Sequence, residues 1–435
     1  MKQLGDIYHY PDGYLDQAQA VLDQAMSEVP FYRDHWARYD RGPQAGIWDR
    51  YAGLPELTKA DMRAHFPDGF CDARLDRRRA LAADDIEYTF TSGTTGDKVI
   101  NLWNQKWWRG GERASWKMNP ATAHVAYPAP RMAELTSALN LGIHCEEDLP
   151  MDHRIMGNVL HLNEKLNIIA WQNRHYQRMA QELQDFRPAV LEANPSLLAR
   201  LAYWSIDNGV KLYSPRAIIL TYELASAIHV KAIHQAFSCP TVSSYGTTET
   251  GFVMMEGADG RMYQNTGWCH IDFLPLKGSR TRGRILVTNF NNPWSVIIRF
   301  STGDLVTLAK PDPTDDGHDG LIAAAIDGRL ASCTYAVDGT LVSPRQLDEA
   351  LAAIDGIREY AMSQPAYGVY HLKLAGPDHS ASLHQMAIAA LRHLYGQGGA
   401  YDVTFVEDLW PGPAGKYSRV RCAITMDEKE MFVNE

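Results

Sequence analysis

Short apolar segments alternate with segments of helical periodicity between residues 189 and 249, and this alternation constrains the fold more than any other feature of the sequence. Each apolar segment is stopped by polar residues, and Asn194-Pro195-Ser196 offers the start of a helix after the first segment. Consecutive strand-helix-strand units of this kind predict an α/β fold with a doubly wound, mostly parallel sheet. The predicted strands are AVLEA (189–193), AIILT (217–221) and PTVSS (240–244).

Polar side chains follow the ends of these predicted strands. In doubly wound sheets, ligands bind beyond the carboxyl ends of the strands. Asn194, Glu223 and the segment Tyr245–Glu249 all lie at such ends. We therefore expect a ligand site at this edge of the sheet.

Composition excludes several classes of protein. The chain has 435 residues, 45% of them hydrophobic and 22% charged, which is typical of a soluble globular protein with two or three domains. A formal net charge of -10 argues against nonspecific nucleic-acid binding. No apolar run approaches the roughly 18 residues of a membrane span, and the N-terminus lacks an export signal, so we expect a cytoplasmic location. The cysteines lack zinc-like spacing, and we expect free thiols.

The C-terminal part of the chain has a different pattern. The segments RILVT (284–288) and SVIIRF (295–300) are rich in β-branched residues and are separated by an Asn-Asn-Pro turn, so they predict strands of a more antiparallel subdomain. From about Asp327, short strand patterns mix with the helical pattern 344–353. This tail predicts a small α+β domain.

A hydroxyl-rich and glycine-rich loop follows the strand-like segment 87–90. Its amides and hydroxyls are suited to surround phosphate oxygens, although a solvated turn has the same composition. The spacing GxxxxGK[ST] is missing, so a P-loop NTPase is excluded. The loop consists of Thr91, Ser92, Gly93, Thr94, Thr95 and Gly96.

A second hydroxyl-rich segment, Tyr245-Gly246-Thr247-Thr248-Glu249, lies at a predicted strand end. The Tyr245 ring could stack on a base, Thr248 could bond a phosphate, and Glu249 could hold Mg²⁺. The alternative is a glycine turn with a capping glutamate.

Three further turns carry single charges. Asp304, after Thr302-Gly303, could accept hydrogen bonds from both hydroxyls of a ribose, or it could be an ordinary turn residue. Gly328-Arg329 and Gly415-Lys416 are weaker signals, because a charge in a turn is usually only solvated.

In this order the motifs resemble those of the adenylate-forming superfamily, which comprises acyl-CoA synthetases, nonribosomal-peptide adenylation domains and firefly luciferase. Four other segments are similar to the phenylacetate-CoA ligase branch of that superfamily. These segments are Val29–Tyr32, Leu54–Lys59, Tyr222-Glu223 and Val342–Asp348.

The resemblance implies ATP and Mg²⁺ as ligands and a role for each motif. The loop 91–96 and Thr248 would hold phosphates, and Glu249 would bind Mg²⁺. Tyr245, with Gly246 and Thr247 beside it, would stack on adenine near Glu223. Asp304 and Arg329 would hold the ribose, and Lys416 would bridge the substrate carboxylate and the α-phosphate. The catalytic residues would be Lys416, Thr248 and Glu249.

The resemblance also implies an N-terminal adenylation domain, residues 1–327, and a C-terminal lid, residues 328–435, that carries Lys416. The chain departs from the superfamily at two places. Lys98 stands where the phosphate loop usually has Pro, and Ala331 stands where the hinge usually has Asp or Lys.

The function implied is adenylation of an aromatic or similarly apolar carboxylic acid, followed by transfer to coenzyme A. An adenylating enzyme that passes the acyl group to an amine or a carrier protein is an alternative, and a catalytically silent nucleotide-binding protein is another. No GxSxG or other nucleophile motif occurs, which fits a reaction that needs charge neutralisation more than acid-base chemistry. We expect no nucleic-acid or membrane partner; the oligomeric state is open, with a homodimer as one option.

Several side chains are candidates for the acid pocket. The aromatic stretch from residue 103 to 116 could line it, although aromatic residues at such spacing also form core. His144 and Arg131 could meet a carboxylate or a ring substituent. The aromatic candidates are Trp103, Trp107, Trp108 and Trp116.

Overall fold

The computed structural model describes residues 8–90, 99–125, 130–138, 147–310, 319–412, 416–425 and 428–432. The chain forms two compact units. Unit 1 comprises Met1–Ala126, Ser244–Ala325 and Phe432–Glu435, and unit 2 comprises Tyr127–Ser243 and Ile326–Met431. None of the described helices is both long and apolar enough to cross a membrane.

Helices occur in both units. In chain order, the described α-helices are Tyr14–Glu28, Pro30–His35, Ile47–Gly53, Lys59–His65, Arg77–Ala82, Gln105–Trp116, Pro120–Ala123, Asn173–Phe186, Pro195–Asn208, Ala227–Ala236, Pro344–Ala352, Ala381–Tyr395 and Glu428–Met431.

Strands are numbered here in chain order. The described strands are β1 (Glu87–Phe90), β2 (Ile100–Trp103), β3 (Met132–Leu135), β4 (Ile155–Met156), β5 (Val159–His161), β6 (Val190–Ala193), β7 (Ala217–Leu220), β8 (Thr241–Thr247), β9 (Gly251–Glu256), β10 (Met262–Gln264), β11 (Cys269–Pro275), β12 (Arg282–Asn289), β13 (Phe300–Leu308), β14 (Ile322–Arg329), β15 (Thr334–Tyr335), β16 (Leu341–Val342), β17 (Glu359–Ala366), β18 (Val369–Ala375), β19 (Ala400–Val406) and β20 (Val420–Cys422).

The sheet of unit 1 has the strand order β11-β12-β13-β14-β10-β9, with the end of β8 beside β9. Its pairs β11–β12, β12–β13, β14–β10, β10–β9 and β9–β8 are antiparallel. Against it packs an aromatic core that contains Tyr14, Phe31, Tyr32 and Phe290. The prediction of a more antiparallel subdomain is confirmed.

The strand predicted over 295–300 is wrong, because β13 begins only at Phe300. Val296, Ile297 and Ile298 are buried, as their apolar character requires. Their amides, however, do not pair with a neighbouring strand. They donate to the Phe70 carbonyl at 2.8 Å, and to side-chain oxygens of Asn289 and Tyr32 at 3.0 Å and 2.9 Å.

The sheet of unit 2 is parallel through β7, β6, β3 and β5, with the start of β8 parallel to β7 and β4 antiparallel at the other edge. All residues of β6 and β7 are buried. The helix after β6 begins as predicted, since the Asn194 side chain accepts hydrogen bonds from the amides of Ser196 and Leu197. The predicted α/β fold with a doubly wound, mostly parallel sheet is confirmed.

Residues 326–431 contribute a second, four-stranded sheet to unit 2, in the order β19-β18-β17-β20. Helix Pro344–Ala352 starts with a capping box in which Ser343 and Gln346 bond each other's backbone amides. Helix Ala381–Tyr395 packs on the hydrophobic core beside this sheet through Leu383, Leu391 and Tyr395. The division of the chain at residue 327 into an adenylation domain and a lid stays a prediction.

Candidate active site

The predicted hydroxyl-rich segment of unit 1 spans the end of β8 and the turn of the hairpin that joins β8 to β9, in which Thr247 pairs with Gly251. The Thr247 hydroxyl accepts a hydrogen bond from the Thr250 amide at 3.1 Å. Only glycine fits at Gly246, because a Cβ there would lie 2.3 Å from the Gly251 carbonyl oxygen. The turn therefore presents Thr248 and Glu249 in a fixed backbone conformation.

Asp304 lies in a bulge within β13, and not in a turn as the sequence predicts. Arg284 pairs with Leu305 and Leu286 pairs with Ser301, so the residues between Ser301 and Leu305 bulge from the ladder. A bulge of this kind redirects a side chain. The Tyr245 hydroxyl donates a 2.8 Å hydrogen bond to Oδ2 of Asp304, so two predicted nucleotide-binding residues are in contact.

A pocket in unit 1 lies beside this hairpin turn. Three of the four candidate tryptophans line it, whereas Trp116 is buried in the core. The Trp103 and Trp108 rings lie 4.0 Å apart between centroids. The lining residues are Asn101, Leu102, Trp103, Asn104, Trp107, Trp108, Thr248, Glu249, Asn292 and Ser295.

Glu249 is the carboxylate of this pocket, and its side chain fits the predicted role toward Mg²⁺. It is buried, and its Oε1 atom has no hydrogen-bond partner within the described part of the chain. A hard cation prefers such an anionic oxygen. In the described ranges, no group of three or more His, Cys, Asp or Glu residues is placed to hold a metal ion. A cation at Glu249 would therefore depend on neutral oxygens and on oxygens of a bound ligand.

Glu223 lies in unit 2, directly after Tyr222 at the carboxyl end of β7. Its Oε1 accepts hydrogen bonds from the Ser196 hydroxyl and amide, and its Oε2 accepts one from the Tyr417 amide at 3.3 Å. Burial raises the pKa of the Glu223 carboxyl, although Arg419 and His229 act in the opposite direction. Glu223 therefore contacts the residue that follows Lys416.

The segment that carries Lys416 is fixed to unit 2 by ionic and aromatic contacts. The Gly412 amide donates a 2.9 Å hydrogen bond to the Lys416 carbonyl. Arg200 donates to the Tyr417 hydroxyl at 2.7 Å and to Asp408 at 2.9 Å. These contacts hold Lys416, which is partly buried, at the position where the chain passes Glu223.

Arg419 anchors the same segment through a buried network that the sequence did not reveal. It donates to Glu359 at 2.8 Å and to the Ser196 hydroxyl at 2.9 Å. His229 Nε2 lies 3.0 Å from the second oxygen of Glu359. Two features of the sequence could have indicated this network. One is His229 on an otherwise apolar helix face, and the other is Glu359 at the start of a strand.

Two other predicted positions differ from expectation. Arg329 is exposed at the end of β14, so Asp327-Gly328-Arg329 is strand and not a turn. The Arg131 guanidinium lies 4.1 Å from the centroid of the Phe186 ring, before the amino end of β3 and away from the ligand-binding edge of that sheet. The phosphate loop, Thr91–Gly96, and His144 lie outside the described residues.

A further polar cluster lies near the carboxyl ends of the parallel strands. His161, Glu134 and Glu192 occupy paired positions on β5, β3 and β6. Tyr222 has a left-handed φ of 75°. Its hydroxyl hydrogen-bonds the Glu134 carboxylate and lies 2.8 Å from Oε1 of Glu192. Burial and the two carboxylates raise the Tyr222 pKa well above its ordinary value. The sequence feature that could have indicated this cluster is Glu192, a charged residue within an otherwise apolar strand.

Known proteins resemble this chain in sequence and in structure. No protein-family model matches it. The chain is 20% identical over 308 residues to Protein CapK of Staphylococcus aureus, a match that covers 69% of this chain and 64% of CapK, less than two thirds of that protein. Its structure is similar to that of 2-hydroxyisobutyryl-CoA ligase in the postadenylation state with 2-HIB-AMP, with a TM-score of 0.71, 16% identity, and 97% and 92% of the two chains covered. The chain has the fold of the adenylate-forming enzymes.

This adenylate-forming fold is shared with a second kind of ligase. The amide bond synthetase McbA from Marinactinospora thermotolerans matches with a TM-score of 0.52 and 16% identity, over 77% of this chain and 68% of McbA. The adenylate-forming fold that the motifs predict is therefore confirmed.

Proposed function

We propose that this chain adenylates a carboxylic acid with ATP and then transfers the acyl group to coenzyme A. The observation that carries the proposal is the hydrogen bond between Tyr245 and Asp304, because it joins the predicted adenine-stacking ring to the predicted ribose-binding carboxylate. Structural similarity to a CoA ligase with a bound acyl-adenylate supports the same reaction.

The chemistry explains why the motifs carry these residues. A carboxylate oxygen attacks the α-phosphorus of ATP, and pyrophosphate leaves with the electrons of the broken bond. The thiol of coenzyme A, after losing its proton, attacks the acyl carbon, and AMP leaves. Lys416 would offset the two anions that meet in the first step, with Thr248 and the 91–96 loop on the phosphates. Mg²⁺, held through Glu249, would neutralise phosphate charge. Arg329 would assist Asp304 at the ribose.

For the acid, we propose an aromatic or similarly apolar compound, as in the phenylacetate-CoA ligase branch. The rings of Trp103, Trp107 and Trp108 on one side of the unit 1 pocket support this assignment. Ring faces at such a position favour a flat or apolar group.

The second candidate is an amide-forming enzyme. Ala331 lacks the hinge charge that the superfamily uses when the lid moves between the two half-reactions. An amide bond synthetase also shares the fold. We expect adenylation to be efficient and transfer to coenzyme A to be slow.

The experiment is acid-dependent exchange of pyrophosphate into ATP, measured over a library of carboxylic acids. With the best acid, product is then compared in the presence of coenzyme A, of hydroxylamine as a generic amine, and of neither. Saturable acyl-CoA formation supports the proposal. Saturable transfer only to the amine favours the second candidate. No exchange with any acid, despite nucleotide binding, would mean that the protein is a catalytically silent nucleotide-binding protein.

A further inference from the structure

One exposed face of helix Gln105–Trp116 in unit 1 carries only positive charge. Its basic side chains follow one another at spacings of three and four residues, which places them in one row along the helix. The row is about 16 Å long, since each residue advances a helix by about 1.5 Å. We call it the basic stripe, and its members, all of them exposed, are Lys106, Arg109, Arg113 and Lys117. Lys117 follows the last residue of the helix and keeps a helical backbone conformation.

The opposite face of this helix is fixed to unit 1. Trp107, Gly111 and Ser115 are buried there. The Trp107 indole N–H donates a 2.7 Å hydrogen bond to the Phe290 carbonyl, and the Gly111 carbonyl accepts one from the Asn265 side chain at 3.3 Å. The basic stripe therefore faces away from the core and cannot turn inward without breaking these contacts.

The charges of the basic stripe are not neutralised by neighbouring side chains. In the part of the chain that the structure describes, none of the stripe's side chains makes an ion pair or a hydrogen bond. Glu112, the acidic residue of this helix, is partly buried and does not pair with the stripe. The exposed Arg33 of the same unit, in comparison, pairs with Asp34 at 2.9 Å. Solvated helix faces usually mix charges of both signs, so a row of one sign is unusual.

The basic stripe also opposes the stability of the helix that carries it. Arg109 and Arg113 are like charges four residues apart, and so are Arg113 and Lys117, a spacing at which like charges destabilise a helix. Lys106 lies in the first turn, at the positive end of the helix dipole, where a cation is disfavoured. An anionic partner would relieve both effects.

Shape and surroundings select the class of partner. Small ligands bind in concave sites, and a helix face is convex, so a small anion on the stripe would leave most of its surface in water. An anionic membrane requires apolar side chains beside the charges, but Trp107 and Trp116 of this helix are buried. The net charge of -10 opposes a nucleic acid. A row of carboxylates on a protein surface meets all three conditions.

We propose that the basic stripe docks an acidic protein surface on which carboxylates follow one another in a row. Complementary charges of this kind steer association and set the register of the partner. The stripe begins beside the candidate active site, because Trp107 and Trp108 line the same pocket as Thr248 and Glu249. The docked protein therefore lies next to the hairpin turn of unit 1. The inference goes beyond the proposed function and does not depend on it, since docking needs neither ATP nor an acid.

The test uses a fluorescein-labelled poly-L-glutamate peptide long enough to span the stripe. The full chain is titrated into the peptide at low ionic strength, and fluorescence anisotropy gives the Kd. Arg109→Glu/Arg113→Glu reverses the charge at the centre of the stripe, and Arg78→Glu/Arg79→Glu makes the same change in net charge at two exposed positions of unit 1. We expect the Kd to rise roughly tenfold or more in the stripe variant and less than about twofold in the control, a difference that salt should diminish.

A second variant separates charge from packing. Arg109→Lys/Arg113→Lys keeps both charges and should bind the peptide within about twofold of wild type, and thermal melting should show that both stripe variants stay folded. No binding by wild type, or equal losses in the stripe variant and the control, would overturn the inference.

Three other anions test the choice of partner. Coenzyme A, duplex DNA and phosphatidylserine vesicles are titrated in place of the peptide. Tighter binding of any of them than of polyglutamate, abolished by Arg109→Glu/Arg113→Glu, would assign the basic stripe to that ligand and overturn the inference. Acid-dependent exchange should be equal in wild type and in the stripe variant, so a failure of the proposed function would leave the docking result unaffected.

Discussion

The Tyr245 hydroxyl donates a 2.8 Å hydrogen bond to Oδ2 of Asp304, which joins the end of β8 to the bulge in β13. The bond fixes the orientation of the Tyr245 ring through its hydroxyl group. A ring held in this way can stack on a base while the carboxylate beside it binds a sugar.

Tyr245→Phe should weaken ATP binding about tenfold while preserving the fold, because the ring stays and only the hydrogen bond to a charged group is lost. Isothermal titration with α,β-methylene-ATP measures the effect. Tyr263→Phe is the matched control, since the Tyr263 hydroxyl makes a similar 2.7 Å bond to Asp259 in the same unit. Equal nucleotide affinity in the two variants would remove the Tyr245 contact from the ATP site.

Lys416→Ala should abolish acid-dependent ATP/pyrophosphate exchange while ATP binding survives. Loss of a charge that stabilises the transition state typically costs several kcal/mol, or roughly a hundredfold or more in rate. Lys373→Ala, at an exposed position on β18 of the same unit, is the control. Exchange near the wild-type rate in Lys416→Ala would exclude this lysine from the mechanism.

Glu249→Gln should sharply raise the Mg²⁺ concentration needed for half-maximal exchange. The amide keeps the size of the side chain but removes the anionic oxygen that a hard cation prefers. The measurement is exchange rate against free Mg²⁺ at fixed ATP and acid. Unchanged Mg²⁺ dependence would mean that Glu249 acts only within the hairpin turn.

Glu359→Gln should destabilise unit 2 by about 3 kcal/mol at neutral pH, because it leaves the partly buried Arg419 charge without its carboxylate. Burial raises the pKa of Glu359, but Arg419 and His229 outweigh it and hold the pKa at about 2. This stabilisation is therefore present above the unfolded pKa, near 4.5, and is lost as the pH falls toward 2.

Urea unfolding between pH 7 and pH 3 checks this prediction, and the variant should lose less stability than wild type over that interval. Glu349→Gln is the control, because its 2.7 Å pair with Arg345 is exposed and contributes little. Similar losses in the two variants at pH 7 would contradict a stabilising role for the Glu359 network.

The parts of the fold that follow from local pattern could be predicted. Strands β6 and β7 were readable because both their faces are buried and their residues, apart from Glu192, are apolar. The start of the following helix was readable from Asn194, because an N-cap is a local device.

Features that arise from pairing between distant segments could not be predicted. The bulge that holds Asp304 depends on the register of β13 against β12, which the sequence of neither strand specifies. The network around Arg419 joins residues from positions 196 to 419, and no short motif spans that distance. The motifs therefore predict a role for Lys416, which stays a prediction, and give no indication of the groups that hold its segment.

The amides of residues 296–298 are bound by acceptors outside any strand ladder, including the Tyr32 hydroxyl and the Asn289 side chain. Their resistance to hydrogen exchange must then come from tertiary assembly and not from a sheet. In a native-state exchange experiment the Ile298 amide should lose its protection together with the helix that carries Tyr32. A Tyr32→Phe substitution should raise the hydrogen-exchange rate of the Ile298 amide selectively, because it removes the acceptor of that amide. The exchange rate of this amide therefore reports whether the helix that carries Tyr32 is packed against the rest of unit 1.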